Sequence, residues 1–337
     1  MTASIHDVAR AAGVSTATVS RALRGLPNVS ARTREAVRSA AQDLEYVASL
    51  NASNLASGRT RAMGVIVPSV SQWFYTSVVE GIDAELRATG YDMVLFNLGG
   101  RAGDRECVLH RSILRKKTDA LIALCMDFSS DERYQLASTG LPTLVVGGVV
   151  RGLRHVGVDE ASVAREATRY LIDLGHRQIA YIGGENDDRL NPRVHLNRQK
   201  GYRQALAAAG IEPDPRWSLE GKFKLEASRQ AMLSLLDSGV PLPTAVFAAS
   251  DEMAVGAMLA LGARGLSVPG DVSVIGIDNH ELAVSFGLTT MAQDPYAQGA
   301  LAARMLLDEL GGKPPRVTSV RSPFHLIERT STAPVSG

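Results

Sequence analysis

The sequence predicts a small all-α head followed by a larger α/β body of two doubly wound parallel-sheet lobes, and three observations carry that prediction. The chain has 337 residues, more than one core of ordinary size, at about 150 residues per domain, would need. Apolar residues recur at helical spacing up to about residue 44, whereas after Ala62 short apolar runs alternate with helical stretches. Charge divides at the same place. Through Arg61 eight basic residues face four acids, so this segment carries +4; the whole chain is +1, which leaves the remainder at −3. Hydrophobic residues make up 45% and charged residues 21%, enough for a sizeable core and incompatible with a wholly disordered chain.

In the head, Ser4 caps a first helix from Ile5, and Asp7 completes a capping box. Ile5, Val8, Ala9 and Ala12 then share one face. Gly13 permits a sharp turn, after which Ser15 or Thr16 caps a second helix reaching about Arg24, with Val19, Ala22 and Leu23 inward. Gly25 to Asn28 reads as a loop. A third helix from about Arg32 to Leu44 sets Ala36, Val37, Ala40 and Leu44 on its apolar face. Residues 1–46 thus make one three-helix unit near the lower size limit for independent folding. Residues 47–61, including SLNASNLASGRT, are a weak helix former and read as a linker; 62–337 form the body.

The body's apolar runs are MGVIVP (63–68), YDMVLFNL (91–98), DALIAL (119–124), TLVVG (143–147), HVGV (155–158), QIAYIGG (178–184), TAVFAA (244–249) and DVSVIGID (271–278). Strand runs with helices between them imply parallel βαβ units covered on both faces. Gly90, Gly140, Gly175, Gly210 and Gly265 each stand where a helix should close before the next strand. The strands are too many for one small sheet, hence two lobes, with a binding crevice expected outside the carboxyl ends of the strands.

Several functional classes find no support. Cys107 and Cys125 are the only cysteines and lack CxxC spacing, which argues against a disulfide framework or a zinc site. The start, MTASIHDVARAAG, does not read as a secretory signal, and no apolar run reaches bilayer length. The expectation is a cytoplasmic protein with no membrane partner. Gly99-Gly100, Gly147-Gly148 and Gly183-Gly184 follow strands without completing GxGxxG or GxxxxGK[ST], and neither GxSxG nor HExxH occurs. No enzyme, no cofactor and no metal is expected.

The sharpest signal is IHDVARAAGVSTATVSRALRG, Ile5 to Gly25. Helix, glycine turn, helix is the arrangement that sets a second helix into the DNA major groove. Ser15, Thr16, Thr18 and Ser20 at that helix start suit phosphate contacts, reinforced by free backbone N–H groups. Arg21, one turn on, is long enough to reach guanine O6 and N7, and Thr16 and Ala17 offer methyl groups to thymine. The competing reading is an ordinary three-helix module with arginines on a solvated face.

These residues resemble the helix-turn-helix of the lactose/galactose repressor (LacI/GalR) family of bacterial transcription regulators, whose pattern runs DVAxxAGVSxxTVSRxLN. Asp7-Val8-Ala9, Ala12-Gly13-Val14-Ser15 and Thr18-Val19-Ser20-Arg21 match it, and Arg24 replaces the family's Asn. The resemblance implies that Thr16 and Ala17 set operator choice, that Arg24 and Asn28 belong to the DNA face, and that the linker is a hinge ordering on DNA. Alignment on Gly58-Arg59-Thr60 puts Leu55 and Ala56 at the family's Leu-Ala, so Leu55 would wedge into the minor groove; its competing role is a plain linker anchor. Ala48-Ser49 and Ser53 depart from the usual Pro-Asn and Arg.

The body resembles the family's effector-binding core, akin to periplasmic sugar-binding proteins, with VDEASVAREATRYLIDLGHRQIAYIGG (158–184) at the crossing into the second lobe. The resemblance implies a first lobe of about 62–159 and 292–322 and a second of about 160–291 and 323–330. It also implies effector contacts from Phe74, Tyr75, Arg198, Phe223, Ser250, Asp251, Asp278 and Gln293. Arg198 would hold hydroxyls or a carboxylate, its ordinary alternative being an exposed helix arginine; Asp278 would accept from sugar hydroxyls, and Phe223 would stack on a sugar. Gln72-Trp73 stands for the family's Asn-Pro, and Gly147 replaces a frequent aspartate. His176, in Gly175-His176-Arg177, reads as a packing element rather than a ligand or catalyst.

The whole is therefore expected to be a sequence-specific transcriptional repressor. It would be a homodimer on double-stranded operator DNA, controlled by a small polar effector, a sugar or related polyol, between two lobes. Val78 and Ile82 are expected on the dimer surface. A solute-binding protein without a transcriptional role and a nucleotide-dependent enzyme are the alternatives; the basic head weighs against the first and the missing phosphate loop against the second.

Overall fold

Three capped helices build the N-terminal unit: α1 (Ile5–Ala11), α2 (Thr16–Leu23) and α3 (Ala31–Asp43). The computed structural model describes residues 3–23, 25, 27–46, 59–99, 105, 108, 109, 111–185, 192–313 and 319–335. Ser4 and Asp7 form the capping box, the Asp7 carboxylate accepting from the Ser4 hydroxyl at 2.6 Å and from its backbone N–H at 3.0 Å. Those two bonds hold the Asp7 carboxyl below its ordinary range. Gly13, at φ 65°, makes the turn, and the Val14 N–H reaches back to the Ala9 carbonyl at 3.0 Å, a Schellman closure. The Ser15 hydroxyl then accepts from the Thr18 N–H at 3.2 Å and starts α2. Val8, Val19 and Val37 are fully buried among Ala9, Ala22, Ala40 and Ala41. One expectation fails here: Ala36 is exposed, because α3 turns Val37, Ala40 and Ala41 to the core.

The chain divides into two compact units, Met1–Arg61 and Ala62–Gly337. The second unit holds two six-stranded sheets. The first joins β1 (Ala62–Val67), β2 (Asp92–Asn97), β3 (Ala120–Leu124), β4 (Thr143–Val146), β5 (Arg154–Gly157) and β11 (Ser319–Arg321) in the order β2-β1-β3-β4-β5-β11, all parallel. The second joins β6 (Ile179–Gly183), β7 (Ser218–Glu220), β8 (Ala245–Ala248), β9 (Ser273–Asp278), β10 (Thr289–Ala292) and β12 (His325–Ile327) as β7-β6-β8-β9-β10-β12. Only the β10–β12 pair in it is antiparallel. Central strands are buried end to end, as the continuous apolar runs require: Val65 lies between Leu95 and Ile122. The strand order of each sheet reverses beside its first strand, which opens a crevice at the carboxyl ends.

Helices cover both faces: α4 (Trp73–Thr89), α5 (Arg111–Lys117), α6 (Ser130–Thr139) and α12 (Pro295–Leu310) on the first sheet; α7 (Glu160–Asp173), α8 (Pro192–Ala208), α9 (Leu225–Asp237), α10 (Asp251–Ala263) and α11 (Glu281–Ser285) on the second. The chain passes between the lobes after β5, after β10, and between β11 and β12. Three helix pairs touch backbone to backbone through glycine. A Cβ on Gly81 would overlap the Tyr296 carbonyl, and one on Gly299 the Val78 carbonyl, so α4 and α12 lie as close as main chains allow. Gly201 does the same against Ala161, and Gly256 against Leu225.

That close packing corrects one expectation. Val78 and Ile82 are wholly buried with Ala302, Ala303 and Leu306 and offer nothing to a dimer surface. His176 is buried as the packing element expected: its ring nitrogens lie 3.0 Å from the Thr244 hydroxyl and 3.0 Å from the Ala333 carbonyl, which ties the C-terminal segment to the second lobe. The five glycines expected to close helices all lie at positive φ. Strands β7, β11 and β12 have three residues each, too few to show a period in sequence, and β10, Thr289–Ala292, opens on two threonines rather than an apolar run.

Candidate functional site

In the N-terminal unit, burying Val19 and Ala22 turns the opposite side of α2 outward. Ser15, Ala17 and Arg21 are exposed, and Thr16, Thr18 and Ser20 half-buried, all on the first two turns. Asn28 is exposed at φ 69°. Arg24, Leu55, Ala56 and the hinge stretch 47–58 lie outside the described residues.

In the second unit, a cavity lies between the lobes, walled by residues that strand and helix ends deliver. From the first lobe come Gln72, Phe74 and Tyr75 at the start of α4, and Cys125 just past β3. From the second come Glu160 at the start of α7, Val194 and Arg198 on α8, Phe223 after β7, Ser250 and Glu252 at the start of α10, and Asp278 ending β9. Cys125, Phe223 and Asp278 have φ of 47°, 50° and 124°. Non-glycine residues hold such conformations only where the surroundings enforce them, and they gather at ligand sites.

Arg198, 4% exposed, is the charge at the centre. Its Nε donates to Glu160 Oε2 at 2.6 Å and its Nη1 to the Ala249 carbonyl. Gln293 Nε2 donates to Asp278 Oδ1 at 2.7 Å, and Gln298 Nε2 to Gln293 Oε1 at 3.0 Å. Burial pushes the Asp278 carboxyl up to about 6 against the opposing pull of Arg198, and pushes Glu252 up to about 7. The Cys125 thiol is raised by burial too and stays protonated. Contacts also cross between lobes: the Gln72 amide donates to the Phe223 carbonyl at 3.4 Å, Arg193 pairs with Asp127 at 2.7 Å, and the Trp73 and His280 rings lie 4.7 Å apart. The cavity measures about 40 Å³, well below the roughly 300 Å³ of a small ligand pocket, so a sugar-sized guest requires the lobes to part.

Of the residues anticipated from sequence, Phe74, Tyr75, Arg198, Phe223, Ser250 and Asp278 meet at this wall. Asp251 and Gln293 lie behind it. Asp251 is fully buried, accepting from the His280 N–H at 2.8 Å and the Thr290 hydroxyl at 2.7 Å, which braces the loop after β9. Ser250 caps α10 through the Met253 N–H. The exposed-arginine alternative for Arg198 does not hold. Sequence reasoning missed Gln72, Glu160, Glu252, Cys125 and Val194 as wall residues. Cys125 carried a readable signal, standing directly after a buried strand's carboxyl end; Glu160 was hidden as the ordinary first acid of a helix.

A head whose second helix presents a polar first turn, together with a two-lobed body that closes on a polar cavity, defines a ligand-responsive DNA-binding regulator. The model described as bacterial regulatory proteins, lacI family, matches residues 4–49, and that of a periplasmic binding protein-like domain matches 168–332. The HTH-type transcriptional repressor CytR of Escherichia coli (strain K12) is 36% identical over 316 residues, covering 92% of this chain and 91% of that protein. The Lac repressor dimer bound to operator and the anti-inducer ONPF matches with a TM-score of 0.86 at 27% identity, over 99% of this chain and 100% of that one. The transcriptional regulator CelR–cellobiose complex matches at 0.71 with 31% identity, over 98% and 99%. The chain belongs to the lacI family of bacterial regulatory proteins. It is a DNA-binding transcription regulator with an effector-binding core, and the relatives named are regulators rather than enzymes. Among the described residues no helix is long and apolar enough to cross a membrane.

Proposed function

We propose that the protein is a cytoplasmic, homodimeric repressor whose α2 reads operator DNA and whose interlobe cavity takes a sugar or related polyol that changes operator affinity. The observation that carries the reading is the pairing of an outward polar turn on α2 with a buried Arg198 and Asp278 at the cavity wall. Ser15, Thr18 and Ser20 would hold phosphates; Thr16, Ala17 and Arg21 would meet base edges. Arg24 and Asn28 would extend the DNA face, and Leu55 would be the minor-groove wedge. Residues 1–46 are assigned to DNA, 47–61 to the hinge and 62–337 to the effector. In the cavity Phe74, Tyr75 and Phe223 supply aromatic faces and Arg198, Ser250 and Asp278 polar contacts, with Asp251 and Gln293 holding them. The cellobiose in the CelR complex supports a sugar.

The dimeric state of the Lac repressor bound to operator supports two-fold assembly. With Val78 and Ile82 withdrawn, the edge strand β2 and the neighbouring loop are the better face: Leu95 is 41% and Val70 45% exposed.

The test is a gel shift against a symmetric operator library combined with a thermal-shift screen of sugars. Specific binding by the intact chain, altered by a sugar that also raises the melting temperature, is expected. Equal retention of every duplex would defeat the DNA reading, and sugars that shift melting without touching retention would defeat the coupling.

A further inference from the structure

The cavity's own hydrogen bonds show what it still lacks. Arg198 gives Nε to Glu160 and one N–H of Nη1 to the Ala249 carbonyl and keeps three further N–H groups, and the Gln72 amide reaches the Phe223 carbonyl. Among the described residues, Asp278, 7% exposed, uses Oδ1 for Gln293 and has no partner on Oδ2, and the Glu252 carboxylate has none. Three carboxyls, Glu160, Glu252 and Asp278, share the wall with one guanidinium, whose single charge Glu160 already balances. Nor do Arg193 and Lys222, next in the chain to the wall residues Val194 and Phe223, stand spare, since Asp127 holds the first at 2.7 Å and Glu185 the second at 2.8 Å. A phosphate or carboxylate entering here would meet uncompensated acids at short range, in surroundings where charge is poorly screened. A donor-rich cation would meet its complement, with Phe74 and Phe223 to cover its apolar or positive faces.

We propose that the effector is a polyhydroxylated amine, an amino sugar by chemical class, whose ammonium is held by the Glu252 and Asp278 carboxylates between Phe74 and Phe223. This rests on reading the cavity as the effector site. Glu252 is the specificity-determining residue: it makes no hydrogen bond that the fold needs, so its role is to select charge.

The experiment compares three matched sets on the full-length protein at neutral pH, by thermal shift and titration calorimetry. These are glucose, galactose and mannose; their 2-amino counterparts; and their 6-phosphates. An amino sugar is expected to bind about tenfold or more tighter than its neutral parent, with the phosphate weakest. Glu252→Gln is expected to bring the amine down to its parent's affinity with the apo melting temperature kept. A neutral sugar or a phosphate binding as tightly as the amine overturns the inference and leaves the sugar reading standing. An amine whose affinity survives Glu252→Gln overturns the role given to that residue. Binding by none of the three sets brings down the sugar reading and this inference with it.

Discussion

Asp278 ends β9 at positive φ, 7% exposed, with Arg198, Gln293 and Glu160 as the groups acting on its charge. Burial outweighs the arginine and the carboxyl is raised to about 6. Because that lies above the ordinary 3.8, the fold favours the protonated form. Its contribution to stability is complete below about pH 4 and is lost as pH climbs through about 6, a swing of up to about 3 kcal/mol. Asp278→Asn is expected to remove this share of the slope and to leave that of Glu252, which burial raises in the same sense, read as urea midpoints at about pH 4.5 and 7.5. A variant as steep as the parent would mean that Asp278 is not the group responsible. The Arg198–Glu160 pair makes a second prediction. Removing the arginine alone strands a buried carboxylate, so Arg198→Ala should cost about 3–5 kcal/mol. The double variant Arg198→Met, Glu160→Gln should recover most of that stability and bind operator without any effector response. A double variant that still responds would take Arg198 out of the binding reading.

At the scale of elements, glycine decides how the lobes' helices meet. Gly81→Ala or Gly299→Ala is expected to destabilise by about 1–3 kcal/mol or more, since the new methyl would have to move a carbonyl on the partner helix. Gly262→Ala, in the same kind of helix but facing open space, should raise stability by up to about 1 kcal/mol. Equal effects at the three sites, measured by chemical unfolding, would show that helix propensity rather than contact governs them. For α2 the expectation concerns DNA: Arg21→Ala should cost about 1–3 kcal/mol and relax one base pair of the operator. Uniform weakening on all duplexes would reduce Arg21 to a phosphate contact. Most of these elements were legible in the sequence. The Ser4–Asp7 box and the apolar runs that became β1 to β6, β8 and β9 are local patterns, readable because period and capping act over a few residues. Ala36 was misplaced because several small apolar residues on α3 could each have faced inward.

Across the second unit, contacts between the two lobes among the described residues include Gln72 to Phe223, Gln293 at the crossing after β10 to Asp278, Arg193 to Asp127, and the Trp73–His280 ring contact. The Arg193–Asp127 pair is half open to solvent, with side chains 50% and 26% exposed, so its worth is small, up to about 1 kcal/mol. Arg193→Gln is expected to change effector affinity less than about fivefold, with the difference vanishing at high salt. A larger loss that persists at high salt would make it a direct ligand contact. Weak lobe contacts suit a switch, because an effector needs only a comparable differential affinity, about 1–3 kcal/mol, to redistribute the open and closed forms.

The helices, strands and caps, the polar first turn of α2 and the carboxyl-end residues Asp278 and Ser250 could be read from the chain, since each follows from neighbours within a turn or a strand. What could not be read is who meets whom. Glu160 reaches Arg198 across 38 positions and Arg198 reaches the Ala249 carbonyl across 51. Val78 and Ile82 are buried only because α12 returns from the second lobe to cover them. Whether an acid caps a helix or walls a cavity, and whether an apolar face is core or surface, depends on a partner that folding brings from far along the chain. Local propensity carries no information about that partner.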